Sequence, residues 1–222
     1  MKVRRQSIAY TEHRQSSRGA ADHSVKYEKQ FHKRLSNRRE RHLISRILAD
    51  LDRQATLLDI PSGAGRLVDI YINACDRLFE LDASLEMLRL LQQKPPVQTA
   101  KFPVGMGVAS AFHLPFRNAS FDTVVSLRLS HHIPDLDGRL WHIDELCRVA
   151  RHHILVSFFD ADSFKNRFRE LRRRLGSPKR SKYTLERNSV RERAEAAGFS
   201  HHSFFALAPI VSGHSIALLS RA

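Results

Sequence analysis

The chain has 222 residues, 42% of them hydrophobic, two cysteines and a formal net charge of +14. This composition supports a packed core and excludes wholesale disorder, and the isolated Cys75 and Cys147 fit neither a disulfide framework nor a zinc spacing, so a reducing compartment and no metal are expected. Residues 1–50 hold 13 Lys/Arg against 5 Asp/Glu and residues 163–193 hold 12 against 3, leaving a net of −3 elsewhere, a segregation that points to an anionic partner or to two solvated helical faces.

Residues 1–25 show no periodicity and read as a basic, disordered tail, with no apolar region that would mark a secretory signal. From Lys26 to Leu51 apolar residues recur at spacings of three and four, which predicts a helix. Thr56–Ile60 reads as a strand entering the loop Pro61–Gly65, and a helix can start over Arg66–Ile72. Arg77–Leu81 makes a second strand; Ser84 then caps a helix that Pro95-Pro96 stops. A third strand falls within Val104–Ala109, a fourth at Thr123–Leu127, a helix at Gly138–Arg148 and a fifth strand at His153–Phe159. A basic helix over Ser163–Leu175, a last helix capped by Thr184, and two antiparallel strands at Phe204–Leu207 and Ile216–Leu219 complete the chain. The uncharged run Ser203–Ser220 contains Pro209, Gly213 and His214, so it reads as strand, turn and strand rather than a membrane span.

Three features sit at strand ends. Gly63 and Gly65 let the backbone approach a ligand closely, and the helix start behind them offers free N–H groups to an anion. The third glycine of a dinucleotide fingerprint would fall on Val68, which disfavours a nicotinamide-dependent oxidoreductase. Asp82 follows the second strand, where a carboxylate can accept both hydroxyls of a ribose or simply favour a helix N-terminus. Leu114-Pro115-Phe116 turns the chain at the same side of the sheet.

In order, the chain reads Asp59-Ile60-Pro61-Ser62-Gly63-Ala64-Gly65, Glu80-Leu81-Asp82-Ala83-Ser84-Leu85-Glu86-Met87-Leu88, Ser110-Ala111-Phe112-His113-Leu114-Pro115-Phe116, Phe121-Asp122-Thr123-Val124 and Ser130-His131-His132-Ile133-Pro134. These five blocks resemble the class I S-adenosylmethionine-dependent methyltransferases, especially those with a methyltransferase type 11 domain. The resemblance implies an α/β, Rossmann-like fold: a seven-stranded, mostly parallel sheet with an antiparallel last strand and helices on both faces. It implies a single domain over residues 26–222, with a helical lid at 26–50, a cofactor-binding core at 56–160 and a basic insertion at 163–183. The cofactor is S-adenosyl-L-methionine. Asp59, Pro61, Gly63 and Gly65 would surround its methionine portion, Asp82 and Ala83 its ribose, Ser110 and Ala111 its adenine, and Leu127 its sulfonium. Pro61 stands where the family has glycine, and Ser110 where it has an aspartate that holds the adenine amine; a serine accepts that bond more weakly.

Methyl transfer needs alignment above all, and a base only where the acceptor loses a proton. His132 and His131, after the fourth strand, are the candidate bases; Arg128, Arg172, Arg173 and Arg174 are candidates for holding an anionic acceptor. Phe164 and Phe168, four apart, are expected to dock their helix onto the sheet. The acceptor expected is an anionic small molecule or lipid-linked compound, handled in the cytoplasm. Methylation of RNA, and a non-catalytic binding protein that keeps the fold, stand as alternatives.

Overall fold

The computed structural model describes residues 31–100, 104–175, 183–208 and 212–222, with backbone alone at 31–34 and at Arg173. The expected tail at 1–25, residues 26–30 of the lid, 176–182 of the basic insertion and Pro209 lie outside the described residues. In chain order the elements are α1 (Phe31–Ala49), β1 (Gln54–Asp59), α2 (Val68–Ala74), β2 (Cys75–Asp82), α3 (Leu85–Gln92), α4 (Pro95–Gln98), β3 (Gly105–Val108), β4 (Phe121–Ser126), a 3-10 turn (Ser130–His132), α5 (Leu136–Val149), β5 (Ala150–Asp160), α6 (Phe164–Arg174), β6 (Thr184–Leu185), α7 (Arg187–Ala196), β7 (His201–Ala206) and β8 (His214–Ser220). Hydrogen bonds order the strands β3-β2-β1-β4-β5-β8-β7, with β6 on β5. The sheet is mostly parallel, as expected; β8, the last strand in sequence, runs antiparallel to both β5 and β7.

The chain forms two compact units, and the division falls inside β4. Of the described residues, the first comprises 31–100, 104–115 and 121–123. Its strands β1, β2 and β3 pair in parallel, with Asp59 opposite Glu80 and Asp82 opposite Val108. Apolar runs fill its interior with Leu57, Leu58, Leu78, Tyr71, Leu91 and Ile44. Ser84 caps α3 as its sequence predicts, its Oγ accepting from Met87 N at 3.4 Å. Pro95 and Pro96 do more than stop that helix. They open the single turn α4, where a missing N–H and a fixed φ suit the first helical positions. Asp122 latches β1 to the start of β4: its Oδ2 accepts from Thr56 N and Thr56 Oγ1 at 2.9 and 3.0 Å, and its own N donates back to Thr56 Oγ1 at 2.9 Å.

Of the described residues, the second unit comprises 116–120, 124–175, 183–208 and 212–222. Its β5 lies in register with β8 from His153–Ser220 to Phe159–His214, over a core that includes Phe158, Ile154, Ile143, Leu146 and Phe199. Two expectations are corrected here. Thr184 does not cap the last helix; it forms the two-residue β6 with Leu185, and Glu186 occupies the cap position. Phe164 and Phe168 do not dock α6. Their side chains point outward, and among the described side chains of that helix the buried one is Asn166.

Candidate functional site

In the first unit, β1 ends at Asp59 and the chain crosses the cis Ile60–Pro61 bond into the glycine loop. Gly63 and Gly65 have φ of +55° and +68°, the left-handed region that disfavours side chains. Their surroundings differ. A Cβ at Gly63 would meet nothing within 4 Å, whereas one at Gly65 would come 2.9 Å from Leu91 Cγ. Gly65 therefore packs the loop onto α3, and Gly63 leaves open space above it.

Asp82 organises this end of β2. Its Oδ2 accepts from Gly63 N at 2.8 Å and its Oδ1 from Ser84 N at 2.9 Å, while its carbonyl accepts from Ala109 N at 3.0 Å. One residue thus gathers the glycine loop, the start of α3 and the segment leading to Ser110 and Ala111. Ser110 is exposed, its Oγ accepting from Phe112 N at 3.3 Å; Ala111 is buried and Ala83 half-buried. An open glycine cradle beside a carboxylate fits a small cofactor with a polar sugar, so the donor set suits the expected ligand.

Beneath the loop lies a charge cluster that the sequence reading missed. Asp59 and Glu80 are cross-strand neighbours and both are buried. Burial pushes the Asp59 carboxyl up to about 8, opposed by its hydrogen bond with Glu80 and by Arg66. Burial, then the charge of Asp59, drives Glu80 well above the usual carboxylate range. A hydrogen bond between two carboxyls needs one shared proton; with both ionised, neither Glu80 oxygen has a donor. Arg66 instead pairs with the fully buried Glu40 of α1 at 3.0 Å and donates to Asn37 Oδ1 at 2.6 Å. Arg41 of α1 donates to Arg66 O at 2.6 Å and forks onto Asp69 at the start of α2. The basic helix expected as a lid therefore spends Arg41 on clamping the glycine loop. No sequence motif signals this, since the partners lie 25 to 28 positions apart.

In the second unit, Leu127 is buried at the end of β4 and Arg128 follows with φ of +61°, its N donating to Ser157 Oγ at 2.7 Å. The turn after it carries His131 and His132, whose ring centroids are 4.1 Å apart. His131 sits inside an aromatic group, 4.7 Å from Phe159 and 5.5 Å from His214. Arg139 of α5 holds the chain beyond them by donating to Ile133 O at 2.8 Å. His214 was missed because it lies in the uncharged C-terminal run with no motif around it. Arg172 and Arg174 are exposed on α6, and only the backbone of Arg173 is described. Among the described residues no group of His, Cys, Asp or Glu is arranged to hold a metal ion.

Residues 58–154 match a protein family described as a methyltransferase domain. No curated protein sequence matches the chain. Solved structures share its fold. Magnesium protoporphyrin IX methyltransferase (ChlM) from Synechocystis PCC 6803, with bound SAH, superposes with a TM-score of 0.75 at 16% identity, covering 98% of this chain and 100% of that one. A possible histamine N-methyltransferase from Thermotoga maritima gives 0.60 at 16% identity, covering 90% and 96%. A putative methyltransferase from Haloferax volcanii, in complex with the Trm112 activator, gives 0.59 at 15% identity, covering 81% and 88%.

Proposed function

We propose that this chain, whose residues 58–154 match a methyltransferase domain family, moves a methyl group from S-adenosylmethionine to an anionic small-molecule or lipid-linked acceptor in the cytoplasm. The observation that carries the reading is Asp82, a buried carboxylate at the end of β2 whose oxygens accept from Gly63 N and Ser84 N. In this reading Gly63 and Gly65 let the loop backbone follow the methionine portion, with Asp59 and Pro61 beneath it. Asp82 and Ala83 receive the ribose, Ser110 and Ala111 border the adenine, and Leu127 lines the sulfonium side.

The cofactor supplies a methyl group already activated by its positive sulfur; the chain aligns and desolvates. His132 takes the acceptor's proton where one must leave, and His131, held among Phe159 and His214, positions it. Arg128 holds an acceptor anion, and the arginines of α6, Arg172, Arg173 and Arg174, add to the positive field. Acceptor selection by residues 26–50 and 163–183 is part of the same proposal.

Calorimetric titration with S-adenosylmethionine tests it, with Asp82→Ala alongside. Micromolar binding by the wild type is expected, weakened at least about 100-fold in the variant, as the loss of charge-assisted hydrogen bonds implies. No binding by the wild type at millimolar cofactor would overturn the reading in favour of a binding protein that keeps the fold.

A further inference from the structure

Helix α6 is amphipathic in an unusual sense: its polar side faces the protein. Asn166 is buried, and its Nδ2 donates to Asp160 O at 2.7 Å and Gly213 O at 3.0 Å. Its Oδ1 accepts from Arg169 at 2.6 Å. A Cβ at position 213 would fall 2.3 Å from that Nδ2, so glycine is what admits the amide. The ground under it is equally fixed. Buried Asp160 pairs with Arg187 at 2.6 Å and accepts from Ser215 Oγ at 2.9 Å.

The opposite side carries Phe164, Phe168, Leu171 and Leu175, exposed by 66, 53, 53 and 79%. At 3.6 residues per turn they fall within an arc of about 60°, roughly opposite Asn166. The two phenyl rings stack at 6.4 Å and 9°. Lys165 and Arg172 flank the stripe on one side, Arg167 and Arg174 on the other. A contiguous outward apolar stripe is uncommon on a soluble surface unless something covers it. No helix among the described residues is long and apolar enough to cross a membrane.

We propose that α6 docks this protein onto an anionic lipid bilayer, with Phe164, Phe168, Leu171 and Leu175 entering the headgroup–acyl boundary and the flanking Lys and Arg meeting acidic headgroups. Charge complementarity selects this occupant: an apolar stripe bordered by cations on both sides is the pattern of a helix lying in the interface plane. RNA would use the cations and could stack its bases on the phenylalanines, but it would leave Leu171 and Leu175 without a role.

The test is co-sedimentation with vesicles of equal parts phosphatidylcholine and phosphatidylglycerol. It is run beside pure phosphatidylcholine vesicles, beside poly-U RNA, and with the variant Phe164→Ser/Phe168→Ser/Leu171→Ser, which keeps every charge. The wild type should partition onto the anionic vesicles in preference to the neutral ones. The variant should lose at least about 30-fold in partitioning, from the apolar area withdrawn, while melting at the wild-type temperature. Four outcomes would overturn the proposal: a wild type that ignores anionic vesicles or binds neutral ones equally, a variant that still binds, RNA binding without vesicle binding, or a wild-type dimer that the variant dissolves with no lipid bound.

Discussion

Helices α1 and α6 are both rich in arginine, yet they use it in opposite ways. In α1, Arg41 turns inward and, with the Arg66–Glu40 pair, straps the glycine loop to the helix. In α6 the cations flank an exposed apolar stripe, and an uncharged amide makes the buried attachment. Net charge alone does not separate these cases. What separates them is burial: the contacts of Arg41 and Arg66 are partly buried and fix the glycine loop to its helix, whereas the α6 pairs Arg167–Asp162 and Arg174–Glu170, both at 3.4 Å, lie on the exposed surface.

The largest expected effect sharpens the first half of this comparison. The Asp59 carboxyl is raised from 3.8 to about 8 by burial, and Glu80 is raised with it. A raised acid stabilises the fold fully below its unfolded value and loses that contribution as pH rises through its folded value. Glu80→Gln gives Asp59 a permanent donor and removes the need for a shared proton. The melting temperature of the variant minus that of the wild type should therefore climb from pH 4 to pH 8, and a difference flat across that range would count against the shared proton. Next in size, Arg66→Met leaves Glu40 buried without this partner and should destabilise the fold by about 3 kcal/mol in urea titration. The smallest effect belongs to α6. Arg172→Ala with Arg174→Ala should change stability by no more than about 0.5 kcal/mol, since both are exposed. A larger loss there would erase the contrast between the helices.

The parts legible in the sequence were those whose signals are local. Ser84 announces α3 three residues ahead of the amide it caps, and Gly63, Gly65 and Asp82 mark strand ends by residue type alone. The direction of α6 was not legible, because the spacing of Phe164 and Phe168 shows that they share a face without showing which way that face points. Asn166 decides it through Gly213, 47 positions away. Thr184 misled for a related reason: a two-residue strand is too short for any periodicity, and only its pairing with Phe159 defines it. Glu80 falls within the second strand and one of the five family blocks, and neither position reveals that it is buried opposite a second buried carboxyl, where desolvation raises both.

The attachment of α6 also has a mechanical side. Asn166 lies in the first turn, and Arg167, which reaches Asp162 at 3.4 Å, sits next to it. Arg174 is eight residues further on, about 12 Å along the axis at 1.5 Å per residue. The buried amide thus anchors the helix near its start, and most of the apolar stripe, Phe168, Leu171 and Leu175, lies beyond that anchor.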